Sequence, residues 1–237
     1  MGGRKGDNEL IDLELIIFDM DGLMFDTERM AFTCWRQAAF RYGYEVDENV
    51  YIKVIGANAV REKEIYLNLF GEQFPFEKIR NDGSKISETI LHSSGVPIKN
   101  GLHELLAYIE KINLKKAVAT STSRDKALRL LRMAGLLPCF DYVLCGDDIA
   151  ESKPHPEIFL NVAAKLGCSP DQCLVLEDSE AGILAAHRAG MRSIMIPDMK
   201  KPEEEVKALL LQQMNSLDEV KTFLEEIYGQ GRHFGGH

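Results

Sequence analysis

Apolar residues fall in short dense runs, separated by longer stretches in which they recur every three or four positions. Leu13–Phe18 (LELIIF) is a mostly apolar run, long enough for a buried strand and too short for a helix. Lys116–Ala119, Asp141–Cys145, Cys173–Leu176 and Ser193–Ile196 are further runs of this kind. Between them the period is helical. Ser123 can cap Arg124–Ala134, whose Ala127, Leu130, Leu131 and Ala134 share a face, and Gly135 ends it. Pro156 suits the first turn of a helix carrying Ile158, Phe159, Val162, Ala163 and Leu166, stopped by Gly167. Ser179 can cap a helix through Ile183 and Ala186, stopped by Gly190. Strand alternating with helix predicts an α/β fold with a parallel sheet covered on both faces.

The stretch from Asp26 to Pro97 separates the first two strands and reads as helical, with Phe32, Trp35, Ala39 and Tyr42 at helical spacing and Gly43 as a stop. It is too long for a simple crossover. Residues 26–97 are therefore expected to fold as a smaller helical domain, leaving 1–25 and 98–230 as a discontinuous core. Pro202–Tyr228 predicts one or two surface helices, Glu203–Glu205 a solvated face, and residues 231–237 a disordered Gly-rich tail.

A chain of 237 residues, 45% hydrophobic and 27% charged, can bury a core without disulfides. Its net charge of −9 leaves no concentrated basic face for a nucleic acid backbone, and an anionic substrate would need a local cation. The five cysteines have no CxxC spacing and the six histidines no HxxxH or HExxH pattern, so reduced thiols and no zinc site are expected. Met1 to Asn8 lacks the apolar stretch of a signal peptide, and no run approaches the roughly 20 apolar residues of a membrane span. The expectation is a cytoplasmic protein, monomeric by default, with neither membrane nor nucleic acid as partner.

Chemistry-bearing residues gather where the strands end. FDMDGLMFDTE follows the first strand and sets Asp19 and Asp21 two apart, on one side of extended backbone. Ligands of open parallel sheets sit at the carboxyl ends of strands, so two acids aim at the expected site. VATSTS follows the second strand and places Thr120 and Ser121 where hydroxyls and N–H groups can meet a phosphate near a helix N-terminus. GDDIAESKPHPE follows the third and supplies Lys153 as the local cation, and LEDSEAG follows the fourth with Glu177 and Asp178. Taken singly these are turn aspartates, a capping threonine, a surface lysine and a capping acid. Four such patches at successive strand ends point to one site.

In this order and spacing the patches resemble the haloacid dehalogenase superfamily, in the branch of β-phosphoglucomutase and sugar-phosphate phosphatases, from Leu13 to about Leu224. The resemblance implies a Rossmann-like core with a helical cap inserted after the first motif. It implies Asp19 as nucleophile, Asp21 as acid/base, Thr120 and Lys153 as phosphate holders and Asp178 as a magnesium ligand. Glu177 would be a nearby metal-site residue, directly or through water. A small phosphorylated metabolite, such as a sugar phosphate, is the implied substrate.

Charge constrains such a site. Two unit charges about 4 Å apart repel by about 4 kcal/mol at an effective dielectric of 20, so several carboxylates facing a phosphate dianion require cations. Lys153 supplies one charge and Mg²⁺ two. Repulsion from Asp19 is expected to lift Asp21 toward neutrality, as an acid/base requires, with Asp21 offering a metal its backbone carbonyl rather than its side chain. Asp21 and the acid pair argue against a dehalogenase, which needs neither, and against a phosphonate-cleaving relative with alanine there. The mutase pattern has a histidine four residues before a tryptophan; Ala31 stands there, four before Trp35. Its basic cap loop is replaced by Ile55, Gly56, Ala57, Asn58 and Ala59, although Arg61 or Lys63 could substitute. Phosphatase is thus the leading reading, phosphomutase the second, and a noncatalytic binding protein on the same fold the third. Asn58 and Arg61 are candidate specificity residues, and Gly22 with Phe25 to Thr27 candidate hinge material.

Overall fold

The computed structural model describes residues 12–57 and 59–229. The expected tail of 231–237 and Asn58 lie outside the described residues. β1 (Leu15–Phe18) is followed by α1 (Thr27–Arg41), α2 (Glu48–Ile52), α3 (Ala59–Phe70), α4 (Phe76–Ser94) and α5 (Leu102–Lys111). Then come β2 (Lys115–Ala119), α6 (Arg124–Met133), β3 (Tyr142–Leu144), α7 (Glu157–Leu166), β4 (Cys173–Glu177), α8 (Glu180–Arg188) and β5 (Arg192–Met195). α9 (Glu204–Lys207), β6 (Gln212–Gln213) and α10 (Leu217–Gly229) close the described chain.

Among the described residues the strands form one six-stranded parallel sheet in the order β3-β2-β1-β4-β5-β6. β1 lies between β2 and β4, with Ile17 opposite Ala117 on one side and Val175 on the other. All four β1 residues are buried, as they must be when helices cover both faces. Leu15 and Ile17 pack with Ile158, Phe159 and Val162 of α7 and Ala185 and Ala186 of α8. Ile16 and Phe18, on the other pleat, are equally buried, and Phe18 meets Phe140 edge to face at 5.7 Å.

The expected α/β architecture is present, and all five apolar runs are strands. β6 was not foreseen, because exposed Gln212 and Gln213 carry no hydrophobic signal. Leu211 N–H and Met214 N–H, donating to the Ser193 and Met195 carbonyls, hold it to β5. The Ser123 cap needs correction. α6 begins at Arg124 as expected, but the Ser123 hydroxyl makes no capping bond; Asp147, after β3, accepts the Arg124 N–H at 2.9 Å instead. Ser179 does cap α8, accepting from Gly182 N–H at 3.1 Å.

The chain divides into two compact units: Met1–Phe25 with Ile98–Asp198 and Pro202–His237, and Asp26–Pro97 with Met199–Lys201. The second is helical and organised by aromatics. Trp35 of α1 stacks on Tyr66 of α3 with centroids 4.9 Å apart, and Tyr66 stacks in turn on Phe74 at 5.3 Å. Arg61 and Lys63 pair with Glu64 and Glu77 at 3.1 and 3.2 Å. Among the described residues no helix is long and apolar enough to cross a membrane.

Since Ile17 is fully buried at the sheet centre, Ile17→Ala is expected to cost about 2–5 kcal/mol in a urea-unfolding measurement. A loss below about 1 kcal/mol would contradict this account of the core.

Candidate active site

The residues after β1 remain paired to the sheet for one step, Asp19 N–H donating to Leu176 O at 3.0 Å, and then turn sharply. Met20 O accepts from both Met24 and Phe25 N–H, and Gly22 sits at φ +85°. A Cβ at Gly22 would overlap the Asp178 carboxylate, so glycine is required both by the backbone and by the acid beside it. Asp19 is buried and Asp21 half-buried.

Lys153, reaching in from the loop before α7, ties the strand ends together. Its Nζ lies 2.5 Å from Asp19 Oδ1, 2.6 Å from Glu177 Oε1 and 3.0 Å from Ala119 O, so one ammonium touches the ends of β1, β2 and β4. Its side chain is 5% exposed. The ring of Phe159 sits 5.2 Å from the ammonium. Burial works against the ammonium, but the charges and hydrogen bonds of Asp19 and Glu177 outweigh it and hold Lys153 above the ordinary lysine range.

Glu177 is fully buried and its carboxylate is committed. Oε1 takes Lys153, while Oε2 accepts from Asp178 N–H, Ser179 N–H and Ser179 Oγ, the last at 2.8 Å. The negative charge thus sits at the N-terminus of α8, where it is favoured. A Cβ at Gly182 would overlap this carboxylate, so the first turn of α8 is shaped around it.

Asp19, Glu177 and Asp178 each present an oxygen, and the three lie within 4.8 Å of one another. An all-carboxylate donor set of this size suits a hard divalent cation, and the three acids could bind one. With both Glu177 oxygens already hydrogen-bonded, Asp19 and Asp178 are the better placed of the three. Crowding and burial act on both. The Asp19 carboxyl is pushed up to about 7, by burial first, against Lys153 and with Glu177 and Asp21 adding. Asp178 is raised well above the carboxylate range, by burial first and then by the charges of Asp19 and Glu177.

Thr120, also buried, follows β2 directly, and its Oγ1 accepts from Thr122 N–H at 3.1 Å. Ser121 is exposed on the following bend, and its carbonyl lies where a Cβ on Gly146 would fall, so the β2 and β3 ends pass closely. Of the predicted residues, direct contacts join Asp19, Lys153 and Glu177, with Asp178 beside them; Asp21 connects to the Thr120 segment. That connection runs through Thr122, which the sequence reading missed: its Oγ1 donates to Asp21 Oδ2 at 2.7 Å. A third hydroxyl in VATSTS was the available signal. Ser179 was seen only as a cap, and its donation to Glu177 was not.

A family model for haloacid dehalogenase-like hydrolases matches residues 16–196. A phosphorylated carbohydrates phosphatase of Thermotoga maritima is 33% identical over 184 residues, covering 77% of this chain and 84% of that protein. Fructose-1-phosphate phosphatase YqaB of Escherichia coli is 29% identical over 181 residues, covering 76% and 94%. The crystal structure of a putative beta-phosphoglucomutase from Thermotoga maritima has a TM-score of 0.76 at 27% identity, covering 90% of this chain and 99% of that one. The chain belongs to the haloacid dehalogenase-like hydrolases, in the branch of β-phosphoglucomutases and sugar phosphatases. Within that family it is an enzyme of the phosphatase kind.

Asp19 and Asp178 have raised carboxyls, so their stabilising contribution is full below the ordinary carboxylate range and is lost as pH rises, for Asp19 through about 7. Metal-free protein is therefore expected to lose melting temperature between about pH 5 and about pH 7.5, with millimolar Mg²⁺ restoring it mainly at the higher pH. An equal Mg²⁺ effect at both pH values, read by calorimetry, would contradict the shared acidic site.

Proposed function

We propose that the protein is a magnesium-dependent phosphatase that hydrolyses a small phosphate monoester, a sugar phosphate or similar metabolite, through an aspartyl-phosphate on Asp19. The observation that carries this reading is the buried Lys153 bridging Asp19 and Glu177, beside Asp178. It puts a cation against a carboxylate that is otherwise hard to keep ionised.

In the first half, an Asp19 oxygen attacks phosphorus while the bond to the leaving oxygen breaks, and Asp21 gives that oxygen a proton. In the second, a water loses a proton to Asp21 as its oxygen attacks phosphorus, and the bond to Asp19 breaks. Asp19 and Asp178, with the Asp21 backbone carbonyl, would hold Mg²⁺, and Glu177 would support them. Bound there, the divalent ion supplies neutralising charge for the phosphoryl oxygens. Lys153 supplies charge from the opposite chemistry, a hydrogen-bonding ammonium fixed by three acceptors. The Thr120 hydroxyl, whose acceptor position is taken by Thr122 N–H, has its proton left to give to a phosphoryl oxygen.

A phosphomutase is the second reading, supported by the likeness to the putative beta-phosphoglucomutase structure. Against it stands Ala31 where a mutase carries histidine. The two differ in product. Incubation with glucose 1-phosphate gives free phosphate from a phosphatase and glucose 6-phosphate from a mutase.

The reading is tested by free-phosphate release across sugar phosphates, nucleotides and small acid phosphates. Asp19→Asn and chelation by EDTA are each expected to remove activity by at least about 10³-fold. Asp21→Asn is expected to lose about 10²–10⁴-fold in kcat/KM, which reports the first half, on alkyl phosphates and much less on p-nitrophenyl phosphate, whose leaving group needs no proton. Turnover by Asp19→Asn near the wild-type rate would overturn the covalent route.

A further inference from the structure

We infer that Thr122 is a positioning residue for Asp21, assigning the transferable proton to one oxygen of its carboxyl group. The inference rests on the acid/base reading of Asp21 given above and goes beyond it. Thr122 Oγ1 donates to Asp21 Oδ2 at 2.7 Å, the distance of a strong hydroxyl–carboxylate bond. An oxygen that accepts this hydrogen bond is poorly disposed to carry a proton of its own. The proton that Asp21 gives and takes is therefore placed on Oδ1.

Thr122 can do this because its backbone is fixed twice. Its N–H donates to Thr120 Oγ1 at 3.1 Å, and its carbonyl accepts from Gly146 N–H at 2.9 Å. Thr120 is itself anchored, its N–H donating to Leu144 O at 3.1 Å. Asp21 stands only three residues beyond the end of β1, whereas Thr122 lies 101 positions away in the sequence on a loop held by β3. The bond therefore fixes the rotamer of a turn residue from a rigid neighbouring strand end. Proton transfer depends on such orientation, since the acid must lie within hydrogen-bond reach of the leaving oxygen.

In the first half-reaction the bond from phosphorus to the leaving oxygen breaks as the Asp19–phosphorus bond forms, and the proton on Asp21 Oδ1 passes to the leaving oxygen. In the second, a water proton passes to the same Oδ1 as the water oxygen bonds to phosphorus and the Asp19–phosphorus bond breaks. Thr122 neither gives nor receives a proton in either half. It does not touch the reacting atoms.

The test compares Thr122→Val, which keeps the shape and removes the hydroxyl, with Thr122→Ser, which keeps the hydroxyl. Each is assayed on glucose 6-phosphate and on p-nitrophenyl phosphate, with Asp21→Asn run beside them. Thr122→Val is expected to lose about tenfold more kcat/KM on the sugar phosphate than on the aryl phosphate, while kcat falls on both because the second half is common to them. Thr122→Ser is expected to restore most of that difference. Equal losses of kcat/KM on both substrates, or no loss, while Asp21→Asn discriminates between them in kcat/KM, would overturn the role of Thr122 alone. No discrimination by Asp21→Asn would instead remove the acid/base reading beneath it. A Thr122→Val that fails to fold is replaced by Thr122→Ala, judged by the same ratio.

Discussion

One buried ammonium holds the chemistry of this fold together. Lys153 lies within hydrogen-bond distance of Asp19, Glu177 and the Ala119 carbonyl, and so touches the ends of three adjacent strands. Without it, Asp19, Glu177 and Asp178 would bring three carboxylates within 4.8 Å of one another with only dipoles to offset them. Removing one member of a buried ion pair typically costs 3–5 kcal/mol, because the remaining charge is stranded. A single lysine does not balance three acids. Burial first, and then the neighbouring carboxylates, raise the carboxyls of Asp19 and Asp178, and a divalent cation is the natural remedy.

The glycines around the site follow from the same crowding. Gly22 and Gly182 are placed where any Cβ would overlap a carboxylate, of Asp178 and Glu177 respectively. Asp178 and Glu177 are thus packed against glycine backbone. Their arrangement is fixed before substrate arrives, and preorganised charge is the form in which electrostatic stabilisation is most effective.

Much of this was legible in the sequence. The five apolar runs gave five strands because each is buried on both faces, so hydrophobicity alone marks them. The nearness of Asp19, Lys153, Glu177 and Asp178 was legible because a parallel sheet collects its strand ends on one edge, so motif order became spatial proximity. What stayed hidden depends on tertiary bonds. β6 is two exposed glutamines held only by flanking backbone bonds to β5. The cap of α6 is supplied by Asp147 from another loop rather than by Ser123 beside it. Thr122 shares its residue type with many turn threonines, and only its approach to Asp21 separates it from them. The raised carboxyls of Asp19 and Asp178 were hidden for the same reason, since burial, invisible in local sequence, is the larger cause for both.

The central claim is that this carboxylate cluster is a cation site completed by Asp178. Isothermal titration of the metal-free protein with Mg²⁺, beside Asp178→Asn, tests it most directly. The account predicts one ion bound per chain and an affinity at least about tenfold weaker in the variant. Equal affinity in the two proteins would contradict it.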